Sequence, residues 1–231
     1  MRAEGLLVYS AGAVAPPLQD ALNTFDKKEG IESRFVAGKP ENLLKAIALN
    51  KKGDVMSCGA EYVHDEAEDR GLFKPGTRRS LGYRRSVLIV PEGNPRGIRR
   101  LDDLAESGIR VGIAVGGCLK GVWDDICSKA GVIEEVRRNI VQHADACGTL
   151  MGLIHSSKVD VVFGWNAFKN VWPDTCDAIE FPRDLQVFRS TAAQVITYTR
   201  NEALSRKLID FLTSIDGRRI YKEHGWLHEP H

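Results

Sequence analysis

No stretch of this sequence approaches the roughly 18 consecutive apolar residues that a membrane-spanning helix requires, so direct membrane insertion is not expected. Charge of one sign is not in excess either: 32 basic residues mix with 31 acidic ones for a net charge of +1. That balance excludes the basic footprint of a nucleic-acid binder and the basic amphipathic helix of a membrane-surface protein. There is no GxGxxG fingerprint, no GxxxxGK phosphate loop and no HExxH metal motif. No cofactor is called for. Five cysteines without a CxxC pair give neither a local zinc pattern nor a complete disulfide framework. The opening MRAEGLLVYS lacks a secretory n-region and h-region and enters a strand almost at once. Either the protein works in the cytoplasm or a targeting segment has been removed.

Strands alternating with helices are present throughout, the pattern of an α/β protein with largely parallel sheets. Gly5 to Tyr9, Glu32 to Val36, Asp54 to Ser57 and Ser86 to Val90 read as strands, followed by Arg110 to Val115, Val159 to Phe163 and Ala192 to Thr199. Pro16 and Pro17 suit a helix's first turn, and Leu18, Ala21, Leu22 and Phe25 form its apolar stripe. Asp145 is the expected N-cap of a helix carrying Leu150, Leu153 and Ile154, and Leu204, Leu208, Phe211 and Leu212 mark a terminal helix. With 231 residues and 43% apolar content the chain suits one large or two small domains. Two lobes are expected: residues 1–83 with 197–231, and residues 84–196. Strands near 83–91 and 190–199 would cross between them, with a cleft at the hinge.

Three of the five cysteines, Cys58, Cys118 and Cys147, fall just after a strand, where a loop turns into a helix. In an open α/β sheet those positions line the ligand crevice, and a helix start lowers a thiol's pKa. Cys127, beside Ile126, reads as a small core residue, and Cys176 has no assigned role. Lys39 and Lys120 in crevice-facing turns, with Arg84 and Arg85 at a strand start, are candidate cations for an anionic ligand. Against this stands the ordinary reading of solvated surface charges. Tyr9, Phe163 and Trp165 are candidate walls of a cleft, though such residues are more often core, the reading favoured for Phe163. His143 alone among the histidines (His64, His143, His155, His224, His228, His231) lies near the crevice; the others read as surface or tail. Asp65, Glu66, Glu68 and Asp69 read as one solvated helix face.

Four segments carry a resemblance to a known family: VYSAGAVAPPLQDALNTFDKKEG (Val8 to Gly30), DVMSCGAEYVHDEAEDRGL (Asp54 to Leu72), RRSVLIVPEGNP (Arg84 to Pro95) and LIDFLTSIDGRRIYKEHGWL (Leu208 to Leu227). In this order they resemble the periplasmic molybdate- and tungstate-binding proteins of the class II periplasmic binding protein superfamily. The resemblance implies a two-lobed, monomeric, non-enzymatic α/β protein outside the cytoplasm. Its lobes would close on a small inorganic oxyanion and deliver it to an ABC permease. It implies ligand contacts from Ser10, Ala11, Gly12 and Ala13; from Gly38 and Lys39; from Cys118, Lys120 and Gly121; and from Asp145, Ala146 and Cys147. Cys58, Gly59, Arg84 and Arg85 join this set from the reading of the residues themselves. The sequence departs from the family pattern where Ala13 replaces a ligand-binding serine, where the turn at Gly38 lacks serines, and where Phe163 replaces a tyrosine.

Other readings stay open. Cys58, Cys118 and Cys147 together would suit Cu(I), Zn²⁺ or a trivalent metalloid. A cytoplasmic ligand-sensing domain would suit reduced thiols. An enzyme with a thiolate nucleophile would need a base, and His143 is the one candidate.

Overall fold

The computed structural model describes residues 3–230; Met1, Arg2 and His231 lie outside the described residues. In chain order the elements are β1 (Ala3–Ala11), α1 (Ala15–Glu29), β2 (Ile31–Gly38), α2 (Pro40–Asn50), β3 (Val55–Cys58), α3 (Glu61–Asp69) and β4 (Arg79–Pro91). There follow β5 (Val111–Ala114), α4 (Val122–Ala130), α5 (Ile133–Arg138), β6 (Ile140–Ala144), α6 (Cys147–His155), β7 (Val161–Trp165) and α7 (Phe168–Val171). The chain ends with β8 (Cys176–Glu180), β9 (Phe188–Val195), α8 (Glu202–Thr213) and α9 (Ile215–Glu223). It divides into two compact units, residues 3–83 with 190–229 and residues 84–189. β4 and β9 each carry the chain from one unit to the other. Residues 190–196, expected in the second lobe, belong to the first unit, because β9 pairs antiparallel with β3 from Ala192 to Val195.

In the first unit β2, β1 and β3 run parallel in that spatial order, with β9 closing the edge. Val8, Val55 and Met56 are fully buried on these strands, as expected for a sheet covered on both faces. α1 starts on Pro16 and Pro17 and buries Leu18, Ala21, Leu22 and Phe25, whose ring lies 5.6 Å from Phe211 of α8. The α3 acids Asp65, Glu66 and Asp69 are exposed and Glu68 is half-buried, but His64 of the same helix is completely buried. Its Nδ1 lies 3.1 Å from Gln194 Oε1, a fit that the reading of His64 as surface did not anticipate. The helix presents this side chain on the same inward face as Val63 and Ala67.

In the second unit β6, β5 and β7 run parallel, β4 is antiparallel to β7, and β8 pairs with β4. From β5 the chain passes to β6 on one side of it, then returns as β7 on its other side, between β5 and β4. The loops that leave β5 and β7 therefore diverge at a switch point, where open α/β sheets hold ligands. Phe163 is core: it is 2% exposed and stacks on Phe181 at 6.1 Å.

Candidate functional site

At the switch point of the second unit the ends of β5, β6 and β7, with the middle of β4, bring two sulfurs, an indole and a guanidinium together. β5 runs out through Gly116 and Gly117 to Cys118. Gly117 sits at φ +66°, and a Cβ on Gly116 would meet the Asp145 carbonyl oxygen at 2.7 Å. Only glycine therefore lets the turn after β5 lie against the turn after β6. That second turn leads into α6, whose first residue is Cys147. The residue capping α6 is Ala146, not Asp145; Asp145 instead accepts from the Thr149 hydroxyl at 3.0 Å, on the outer side of the first turn. The two cysteine sulfurs end 3.3 Å apart.

Arg84 enters from β4, two residues before Ser86, which pairs with Trp165 at the end of β7. Its guanidinium carbon lies 4.9 Å from the Trp165 ring centroid, a cation–π stack. Arg84 Nη1 donates to Cys118 Sγ at 3.0 Å and Trp165 Nε1 donates to the same sulfur at 3.1 Å. Arg84 is 1% exposed and Trp165 fully buried. A charge so deeply buried has to be matched locally. The Cys118 sulfur, accepting from Nη1, is one such match. Hydrogen bonding from Cys147 does most to hold the Cys118 thiol well below its ordinary range; burial opposes this, and the charge of Arg84 and the bonds from Trp165 and Arg84 add to it. The depressed pKa favours the thiolate form of Cys118, to which Arg84 and Trp165 donate, while either sulfur can carry the proton shared with Cys147.

The other cysteines differ. Cys127 and Cys176 are fully buried, and burial pushes their thiols up to about 12 and about 11. Cys58 belongs to the first unit, 2% exposed, with its sulfur accepting from the Ala60 N–H at 3.4 Å. Among the described residues, no group of three or more His, Cys, Asp or Glu side chains is arranged to hold a metal ion.

Arg85 turns away from Arg84 and pairs with Glu180 at 2.6 Å, while its N–H donates to Asn166. Lys120 is exposed, and Gly121, at φ +81°, leads into α4. His143 is exposed on β6, and none of the groups bonded to Cys118 is a histidine. In the first unit the strand ends also align. Ser10 pairs with Ser57 and Ala37, and Ala11 with Gly38. Ser10 is fully buried and its hydroxyl donates to the Ala11 carbonyl. Gly12 is exposed and Ala13 half-buried in the following turn; Lys39 is the exposed residue before α2, and Gly59 is buried after β3. The residue missing from the sequence-derived site is Trp165. Its place at the end of a β-strand was the available signal.

A family model of bacterial extracellular solute-binding proteins matches residues 6–227. The chain belongs to that family. This solute-binding protein is 22% identical to the molybdate-binding protein ModA of Mycobacterium tuberculosis, over 97% of this chain and 85% of that one. Among solved structures it resembles L-phospholactate-bound PEB3, with a TM-score of 0.87 at 22% identity, covering 97% of this chain and all of the other; a Peb3 structure from Campylobacter jejuni matches at 0.83 and 21% identity over 97% and 100%. The periplasmic molybdate-binding protein of Azotobacter vinelandii matches with a TM-score of 0.78 at 17% identity, over 97% and 99% of the two chains. These likenesses establish the α/β periplasmic binding protein fold. Among the described residues no helix is long and apolar enough to cross a membrane.

Proposed function

We propose that this protein is the solute-binding component of an ABC importer and that its solute is a small tetrahedral oxyanion of the molybdate or tungstate type. The observation that carries the reading is Arg84, a guanidinium 1% exposed at the carboxyl ends of β5 and β7. A fixed buried cation beside the first turn of α6 combines charge with backbone N–H donors, the two things an oxyanion needs. The molybdate-binding relatives support the same ligand class. Ala146 and Cys147, at the start of α6, and the Gly116–Gly117 turn are the proposed backbone donors around Arg84.

A second reading is a phosphorylated carboxylate. It is favoured by the guanidinium itself, whose planar fork suits carboxylate and phosphate better than a lone N–H does, and by the likeness to L-phospholactate-bound PEB3.

Thermal unfolding of the reduced protein with molybdate, tungstate, sulfate, phosphate or L-phospholactate tests both readings. A ligand at about a hundred times its dissociation constant adds about 2.7 kcal/mol. A shift with molybdate or tungstate that Arg84→Met abolishes supports the first reading, and a shift confined to L-phospholactate supports the second. No shift with any anion overturns both.

A further inference from the structure

We propose that Cys118 and Cys147 form a dithiol modification site which a low-molecular-weight disulfide converts to an intramolecular disulfide, and that this conversion switches the charge of the anion site. The second half rests on the reading of Arg84 as the anion-binding cation.

The pair has the two features that an oxidisable dithiol needs: an activated, partly accessible sulfur and a resolving thiol in reach. Cys118 is half-buried and receives N–H donors from Arg84 and Trp165. Cys147 Sγ stands 3.3 Å away, whereas a disulfide closes to about 2.05 Å. Closing that gap asks for small side-chain rotations, because the contact at Gly116 already holds the two turns together. Cys127 and Cys176, fully buried, offer no comparable chemistry.

In the reaction the Cys118 thiolate attacks one sulfur of the small disulfide, forming a mixed disulfide and releasing one thiolate, which takes up a proton. Cys147 then loses its proton and attacks Cys118 Sγ, releasing the second thiol. Starting from the Cys118 thiolate, the protein gives up two electrons and one proton, and the small disulfide, with one more proton from solvent, becomes two thiols. Family members work outside the cytoplasm, in the kind of compartment where disulfides persist.

The electrostatic consequence follows directly. In the dithiol form the Cys118 thiolate offsets the charge of Arg84. A disulfide sulfur is neutral and a weak acceptor, so oxidation turns the guanidinium and the Trp165 N–H toward an incoming anion. Removing a like charge from beside the ligand should tighten binding at least about tenfold.

The test equilibrates the full chain with mixtures of reduced and oxidised glutathione, maps disulfides by non-reducing peptide mass analysis, and measures tungstate affinity by calorimetry at each end point. Expected are a Cys118–Cys147 link, lighter by the two hydrogens lost, Cys127 and Cys176 still thiols, and at least about tenfold tighter tungstate binding in the oxidised form. Cys147→Ser should stop at the glutathione mixed disulfide on Cys118, and Cys118→Ser should form neither. Persistent thiols at both positions, or a wild-type mixed disulfide that never resolves, overturn the modification site. A link that forms while tungstate binds equally in both forms overturns the charge switch. A link that forms in a protein binding no tungstate, phosphate or L-phospholactate in either form supports the modification site and sinks the anion reading instead.

Discussion

Replacing Cys118 by serine removes the sulfur to which Arg84 and Trp165 both donate. The Arg84 and Trp165 donors lose their shared acceptor, and Cys147 loses its sulfur partner. Each hydrogen bond to a charged group contributes about 1.5–3 kcal/mol, and a serine hydroxyl recovers part of it, so the net loss at alkaline pH is about 2–4 kcal/mol. The pH dependence is the sharper signature. The folded-state pKa of Cys118 is depressed, so its ionisation contributes stability that is fully present above the unfolded thiol value near about 8.5. That contribution disappears as pH falls through the folded value. Between the two, the unfolded chain binds one proton more than the folded one, and stability rises about 1.4 kcal/mol per pH unit. Cys118→Ser lacks this term. Urea unfolding of both proteins, under a phosphine reductant from about pH 5 to about pH 9, should therefore give stability curves that diverge as pH rises and run parallel above the thiol range. Curves parallel throughout would show that Cys118 is an ordinary thiol and would refute the thiolate assignment.

Three further outcomes are expected. Burial lowers the pKa of His64, outweighing the bond to Gln194, so the wild type should lose stability as pH falls below about 6.5, at up to about 1.4 kcal/mol per unit; His64→Asn should not show that added loss in the same urea series. Asp54 accepts from the Leu7 N–H at 2.7 Å and the Thr199 hydroxyl at 2.5 Å, and Asp54→Ala should cost about 2–4 kcal/mol in urea unfolding at neutral pH. In the second unit a Cβ on Gly164 would meet Ile89 Cγ1 at 2.5 Å and Phe168 Cδ2 at 3.0 Å; Gly164→Ala should destabilise by about 1–3 kcal/mol, seen as a lower unfolding midpoint.

The βα alternation was legible in the sequence wherever strands are buried on both faces. Val111 to Ala114 and Val161 to Trp165 are wholly buried and read as apolar runs. β6 and β8 were invisible for the opposite reason. β6 carries Gln142 and His143 on exposed positions, and β8 alternates Asp177 and Glu180 with apolar residues. Such half-exposed strands resemble loops in composition. β9 was placed about four residues late, because Phe188 to Thr191 mixes polar and apolar residues whose pairing is set by tertiary context. Strand-end position had singled out Cys118 and Cys147 as candidates, and cationic charge at a strand start had singled out Arg84. Neither could show that Arg85, next in sequence, turns to Glu180 instead. Alternation along a strand sends neighbours to opposite faces, but which face holds the site depends on pairing. Trp165 was weighed as a wall of the cleft and left out of the site because such residues are more often core, though its N–H donates to the Cys118 sulfur.

The approach of Gly116 to the Asp145 carbonyl makes a residue with no chemistry of its own the keeper of the sulfur pair. Any side chain at that position would part the two turns, and the cysteines would remain in the sequence as strangers, each an ordinary thiol. Across related chains, the dithiol should then be inherited as a trio: wherever both cysteines occur, glycine should stand at the place of Gly116, and where that glycine is lost, nothing should hold the cysteines against drift.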